Sequence, residues 1–238
     1  MRFDAPLLTE ILRSVHQQPL KQRMTLFAAH AGHAWSGELM VIGRAVNGWA
    51  APWTIDQIAD DAGRLARAQT TLGIVEGDTC PLAWVLDSRA HPERHEGYST
   101  SRSAFWRAIE GVCRALNIGT AEDWPSHLVW SNLYKVAPYA GGNPAATLRK
   151  AQREPCAQLI RAELAYYRPR RVLALTGVGW MGDLQPELGI ALERRGPGPL
   201  EAVGRLGDVP VAVLCHPQGK PELDWVEAAI TTFEEPRS

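Results

Sequence analysis

The sequence has no run of about 18 apolar residues, so no membrane-spanning helix is expected. Met1 to Glu10 holds no basic segment followed by an apolar core, so no signal peptide is indicated and the cytoplasm is the expected compartment. Close cysteine pairs are missing too. Cys80, Cys113, Cys156 and Cys215 are far apart, whereas a zinc or iron–sulfur site usually contains at least one C-x-x-C pair. Four reduced, mostly buried cysteines and no metal cluster are expected. An excess of charge of one sign is also absent. Lys and Arg number 25 against 26 Asp and Glu, a formal net charge of −1. That argues against a protein that coats nucleic acid by bulk electrostatics, while leaving room for a local basic face. Two clusters, Arg149/Lys150/Arg153 and Arg168/Arg170/Arg171, read most simply as solvated surface.

What is present is an ordinary globular composition, 45% hydrophobic and 21% charged. The 238 residues suffice for one large α/β domain and are tight for two. The spacing of Leu7, Leu8, Ile11, Leu12 and Val15 predicts a helix, and a second helical stretch is read from about Pro19 to His30. Together they make an N-terminal helical extension of about residues 1–37. Four apolar strands follow: Glu38 to Ile42, Leu128 to Asn132, Arg171 to Thr176 and Val209 to Cys215. Helices are predicted over Thr54–Thr70, Phe105–Leu116, about Thr147–Tyr167 and about Pro221–Phe233, with a short one after Thr176. The region to about Arg102 reads as irregular, and Gly196 to Gly207 as a Gly/Pro-rich loop. Continuously apolar strands alternating with helices imply a single α/β domain, with a central, mainly parallel, four-stranded sheet covered on both faces.

Two strand ends stand out. Leu128-Val129-Trp130-Ser131-Asn132 ends on an amide, with Lys135 and Pro138 beyond; Val211-Ala212-Val213-Leu214-Cys215 ends in His216-Pro217. Ligands of open α/β sheets sit at the carboxyl ends of the strands. An Asn there offers a donor and an acceptor side by side, the pattern a pyrimidine edge returns. Two weaker motifs have plainer explanations. Gly177-Val178-Gly179-Trp180-Met181-Gly182 matches the G-x-G-x-x-G dinucleotide fingerprint. However, it comes late in the chain, carries two bulky residues, and has no acidic partner further on. His91 and His95 are four residues apart, as helical metal ligands can be, but in a polar stretch broken by Pro92 and Gly97 they read as loop residues.

Taken in order, these pieces resemble the uracil-DNA glycosylase superfamily. The resemblance rests on Gly43-Arg44-Ala45-Val46-Asn47-Gly48 after the first sheet strand, Phe105-Trp106 opening a helix, and Asn132 to Pro138. Cys156 to Ile160, Pro169 to Gly177, and His216-Pro217-Gln218 complete it. It spans about Glu38 to Lys220. It implies a DNA-binding hydrolase that flips uracil or a related deaminated base out of DNA and cuts the N-glycosidic bond, in base excision repair, without a cofactor. By resemblance, Asn132 reads the base edge and His216 hydrogen-bonds the anion developing on the leaving base. Gly43, Ala45, Trp49 and Trp53 would surround the base, one of the tryptophans stacking on it. Lys135, Pro217, Gln218, Gly219 and Lys220 would contact DNA. The sequence departs from the family pattern at Ala45, where a water-positioning Asp, Asn or Glu is usual, and at Gln218, where Ser is usual. Asn47 is a candidate substitute to serve the water if the loop has gained two residues, as are Asp56, Asp60 and Asp61 at longer range. Two other functions compete with base excision: nucleic-acid or nucleotide binding without cleavage, and a dinucleotide-dependent enzyme.

Overall fold

The computed structural model describes residues 3–74, 79–218 and 222–234. Its centre is a sheet of seven strands in the order β2-β4-β3-β6-β9-β8-β7. The strands are β2 His30–Ala31, β3 Leu39–Gly43, β4 Leu128–Asn132, β6 Arg171–Ala174, β7 Leu192–Arg194, β8 Leu200–Leu206 and β9 Val209–Leu214. The middle four, β4-β3-β6-β9, run parallel, and β2, β8 and β7 pair antiparallel at the flanks. The four predicted strands thus form the parallel middle, but the sheet is mixed and larger than the expected four strands. A separate ribbon pairs β1 Met24–Leu26 with β5 Val136–Pro138.

Among the described residues, seven α-helices surround these strands: α1 Ala5–His16, α2 Asp61–Gly73, α3 Trp84–Ala90, α4 Ala104–Ala115, α5 Ala146–Tyr167, α6 Val178–Leu188 and α7 Leu223–Glu234. Because successive strand residues point to opposite faces, each central strand feeds two cores. Met40, Ile42, Val129, Val172, Ala174, Val211 and Val213 face a core shared with α1, α5 and α6. Leu39, Val41, Leu128, Trp130, Leu173, Ala212 and Leu214 face a second core with α4 and α7. Burial of each large aliphatic side chain contributes roughly 1.5–3 kcal/mol. With both faces covered, no strand of the parallel middle needs polar alternation.

Several expectations are corrected. The stretch Pro19 to His30 is not helical. Met24 exchanges backbone hydrogen bonds with Trp53, β1 pairs with β5, and β2 pairs with β4, so these strand pairings override the local spacing. The N-terminal helix α1 packs into the first core through Leu8, Ile11, Leu12 and Val15. The Gly196 to Gly207 stretch holds β8, whose last residue Leu206 faces Val209 across a two-residue Gly207-Asp208 turn. Gly207 has φ +59°, the left-handed conformation such hairpin turns require. The helix expected over Thr54–Thr70 starts later, because Asp60 caps α2 by accepting from the Gly63 N–H at 2.8 Å.

Candidate functional site

Gly43 and Asn132 end the neighbouring parallel strands β3 and β4 in direct register. The Leu133 N–H donates to the Gly43 carbonyl at 2.8 Å and the Tyr134 N–H to that of Arg44 at 3.0 Å, so the two chains leave the sheet tied together. The Asn132 side chain lies over Gly43. A Cβ there would overlap Asn132 Oδ1 and come within 3.6 Å of Phe105, so this position accepts only glycine if the amide is to keep its place. Asn132 is 2% exposed, and its Nδ2 is buried without a hydrogen-bond partner. A buried polar group left unpaired costs about 1–3 kcal/mol, so such an amide is a place where a ligand gains binding energy.

His216 follows β9, and its ring stacks at 6.3 Å and 21° from Phe105. Its Nδ1 is likewise buried without a partner. Burial, and then the nearby Arg44 charge, lower its pKa below the ordinary 6.5, so His216 is neutral at pH 7. The Arg44 Nε donates to the Thr176 carbonyl at 2.6 Å, with its guanidinium 5.2 Å from the centre of the Trp180 ring. Asn132, His216, Arg44 and the whole Gly43–Gly48 loop line one cleft of about 1420 Å³. Its inner wall is aromatic. Trp130, two residues before Asn132, packs against Trp49, Trp84 and Trp106 at ring separations of 5.4, 5.8 and 5.1 Å. The indole N–H groups of Trp49, Trp84 and Trp130 are also buried without partners.

Of the residues singled out from sequence, Gly43, Ala45, Asn47, Trp49, Asn132, His216 and Gln218 line this cleft. Asn47 is committed elsewhere. Its Nδ2 donates to the Pro138 carbonyl at 2.6 Å and to that of Gly142 at 2.8 Å, using both amide protons to fasten the loop. Trp53, expected beside a base, is 1% exposed in the core on the other side of the sheet. Lys135, expected on DNA, is 1% exposed. Its Nζ donates to Glu163 Oε1 and to Ser131 Oγ, each at 2.7 Å, while Ser131 Oγ donates to Glu163 Oε2 at 2.7 Å. A buried lysine needs such a closed, neutral network and cannot reach a phosphate. Pro217 is buried. Gly219 and Lys220 lie outside the described residues.

Sequence reading missed the cleft's opposite wall, where α3 and the turn after it place Trp84, Asp87, Arg94, His95 and Tyr98. Trp84 and the carboxylate–histidine alternation were its only signals. His91 and His95 do not converge on a metal: His91 Nδ1 meets Glu93 at 3.2 Å and His95 Nε2 meets Asp87 at 2.8 Å. Among the described residues no group of three or more His, Cys, Asp or Glu side chains could hold a metal ion, and no helix is long and apolar enough to cross a membrane. At the G-x-G-x-x-G turn, the Val178 N–H at the start of α6 donates to Glu201 Oε2 at 2.6 Å. The chain's own carboxylate sits where a pyrophosphate would bind.

No family model matches the chain, and no curated protein does. One solved structure aligned with it is a domain of unknown function (DUF1537) from Bordetella bronchiseptica, a domain-swapped dimer with bound citrate. Identity is 15% over 84% of this chain and 42% of that one, with a TM-score of 0.34. This chain therefore spans less than half of that protein's length, and the likeness is too slight to transfer fold or ligand. The expected membership of the uracil-DNA glycosylase superfamily is corrected on these grounds: no comparison supports it, and the mixed seven-stranded sheet is not the sheet it implied. Several residues that carried the resemblance have local structural roles instead. Lys135 closes a buried ion pair. Cys156 is a core thiol of α5, pushed up to about 12 by burial. The chain is an α/β protein whose cleft opens at the carboxyl ends of parallel strands, and the motif series at those ends does not make it a member of that superfamily.

Proposed function

We propose that the cleft takes up a pyrimidine-type base, uracil or a related deaminated base, from DNA and excises it by hydrolysis of its N-glycosidic bond. The observation that carries this reading is the buried, unpartnered amide of Asn132, sharing one cleft with the neutral, half-buried His216. Asn132 presents its donor to a base carbonyl, and His216 donates to the oxygen on which charge grows as the glycosidic bond breaks. The aromatic wall suits a planar heterocycle. The volume, about 1420 Å³, exceeds the roughly 300–1,000 Å³ of small-molecule pockets, which favours a base still attached to a polymer.

Purified protein is to be incubated with single- and double-stranded oligonucleotides carrying one uracil, and alkali-labile abasic sites scored. Cleavage at uracil is expected, with His216→Ala and Asn132→Ala each slower by about 100-fold, the effect of removing one such donor. Folded wild-type protein that leaves no abasic site overturns the reading. A second reading, binding without cleavage, draws on Ala45, which has no polar group, and on the committed amide of Asn47. Retention of uracil-containing strands without abasic product distinguishes it.

A further inference from the structure

On the strand-end side of the cleft the neutral imidazole of His216 is already assigned to the leaving base, position 45 is alanine, and Asn47 holds its loop, so among the described residues there no further group is placed to take a proton from water. The opposite wall supplies one. Trp84 at the start of α3 packs 5.8 Å from Trp130, which shares a face of β4 with Asn132. Asp87 lies one helical turn beyond Trp84, about 5 Å along the axis. Its Oδ2 is 2.8 Å from His95 Nε2, and its Oδ1 is 3.4 Å from Arg94. Asp87 and His95 both line the cleft that Asn132 and His216 line, and the His95 side chain keeps 24% exposure there. A carboxylate on Nε2 fixes the tautomer, leaving the Nδ1 lone pair as the proton acceptor. The hydrogen bond from His95 is the largest of the effects that hold the Asp87 carboxyl below its usual range, so Asp87 stays ionised. The other charged or titratable groups around the pair, among the described residues, are Arg94, His91 and Glu96, with Cys80 and Tyr98 on the same wall of the cleft.

We propose that His95, oriented by Asp87, is the general base that activates the attacking water; this rests on the base-excision reading above. The water oxygen bonds to the sugar C1′, and the C1′–N bond breaks with its electron pair leaving on the base. The water proton passes to His95 Nδ1 and from there to solvent, and the base anion is protonated by solvent. His95 is then a catalytic residue and Asp87 a positioning residue.

Single-turnover excision on a uracil-containing single strand tests this across the pH range in which imidazole titrates. His95→Gln and Asp87→Asn are expected to slow the chemical step about 100- to 10,000-fold, the usual contribution of general-base catalysis, with little change in affinity for the strand. The acid limb of the wild-type rate profile should disappear in His95→Gln. His91→Gln, a neighbouring histidine with its own partner, should behave as wild type. Imidazole added to His95→Gly should restore part of the rate, which a merely structural role of His95 would not allow. Wild-type rate and an unchanged acid limb in His95→Gln overturn the inference while the base-excision reading stands. So does a folded, slow His95→Gly that imidazole leaves slow. Absence of excision by folded wild-type protein overturns that reading and this inference together.

Discussion

Gly43→Ala adds one methyl group at the floor of the cleft, and the structure states what that methyl meets. It overlaps Asn132 Oδ1 and touches Phe105 at 3.6 Å. The Gly43 backbone is an ordinary strand conformation, so alanine fits the chain itself. Asn132 must therefore turn away, at about 0.5–1.5 kcal/mol for leaving its rotamer. Replacing glycine by alanine at a compatible backbone position returns about 0.4–1 kcal/mol through the unfolded chain. The two nearly cancel, so the urea midpoint should stay close to wild type. Recognition should not. Paired hydrogen bonds from one amide to a base edge are worth about 1–3 kcal/mol of discrimination, or about 5- to 150-fold in affinity. Fluorescence anisotropy with two strands differing only in uracil or an abasic site at one position measures that ratio. Gly43→Ala should lose it as Asn132→Ala does, and the double variant should lose no more than either alone, because both act on one contact. A Gly43→Ala protein that keeps wild-type preference for the uracil strand would refute the reasoning, whatever its stability.

Lys135→Met should destabilise the protein by about 3–5 kcal/mol in urea unfolding, because it leaves the Glu163 charge buried and unpaired; adding Glu163→Leu should recover most of the loss. Because His216 titrates below its ordinary 6.5 in the folded protein, the unfolded chain takes up a proton first as pH falls. Its contribution to stability is complete above 6.5 and is lost as pH drops toward the folded value. Urea midpoints measured between about pH 5 and pH 8 should fall less steeply for His216→Asn than for wild type.

The parallel middle of the sheet was legible because doubly covered strands leave an uninterrupted apolar run, and the ends of two of them already marked Asn132 and His216. The flanking strands were not. β7 and β8 interleave polar residues, and only the Gly207-Asp208 pair between alternating runs pointed to the hairpin that carries β8. Met24 and Phe27 fall at helical spacing, and nothing local records that Met24 will pair with Trp53 and Leu26 with Val136. The same limit applied to side chains. Trp49 and Trp53 follow the same glycine-led loop, yet one lines the cleft and the other is sealed in the far core. Lys135 looked like a surface cation because its counterion, Glu163, lies 28 residues away on α5. The α3 wall was unreadable for a related reason: its place opposite the strand ends is set by the packing of Trp84 on Trp130, a contact between residues far apart in the chain.

The ring cluster has an optical consequence. Trp49, Trp84, Trp106 and Trp130 lie within 5.1 to 5.8 Å of a neighbour in the same group. Indoles that close exchange excitation faster than they emit, so the four behave as one chromophore rather than as separate lamps. Light absorbed anywhere in the group drains to whichever ring is most strongly quenched. A molecule that settles against Trp49 or Trp84 in the cleft therefore dims or shifts the emission of all four. The protein carries its own occupancy signal, and a candidate ligand can be titrated without a dye, a tag or a chemical step.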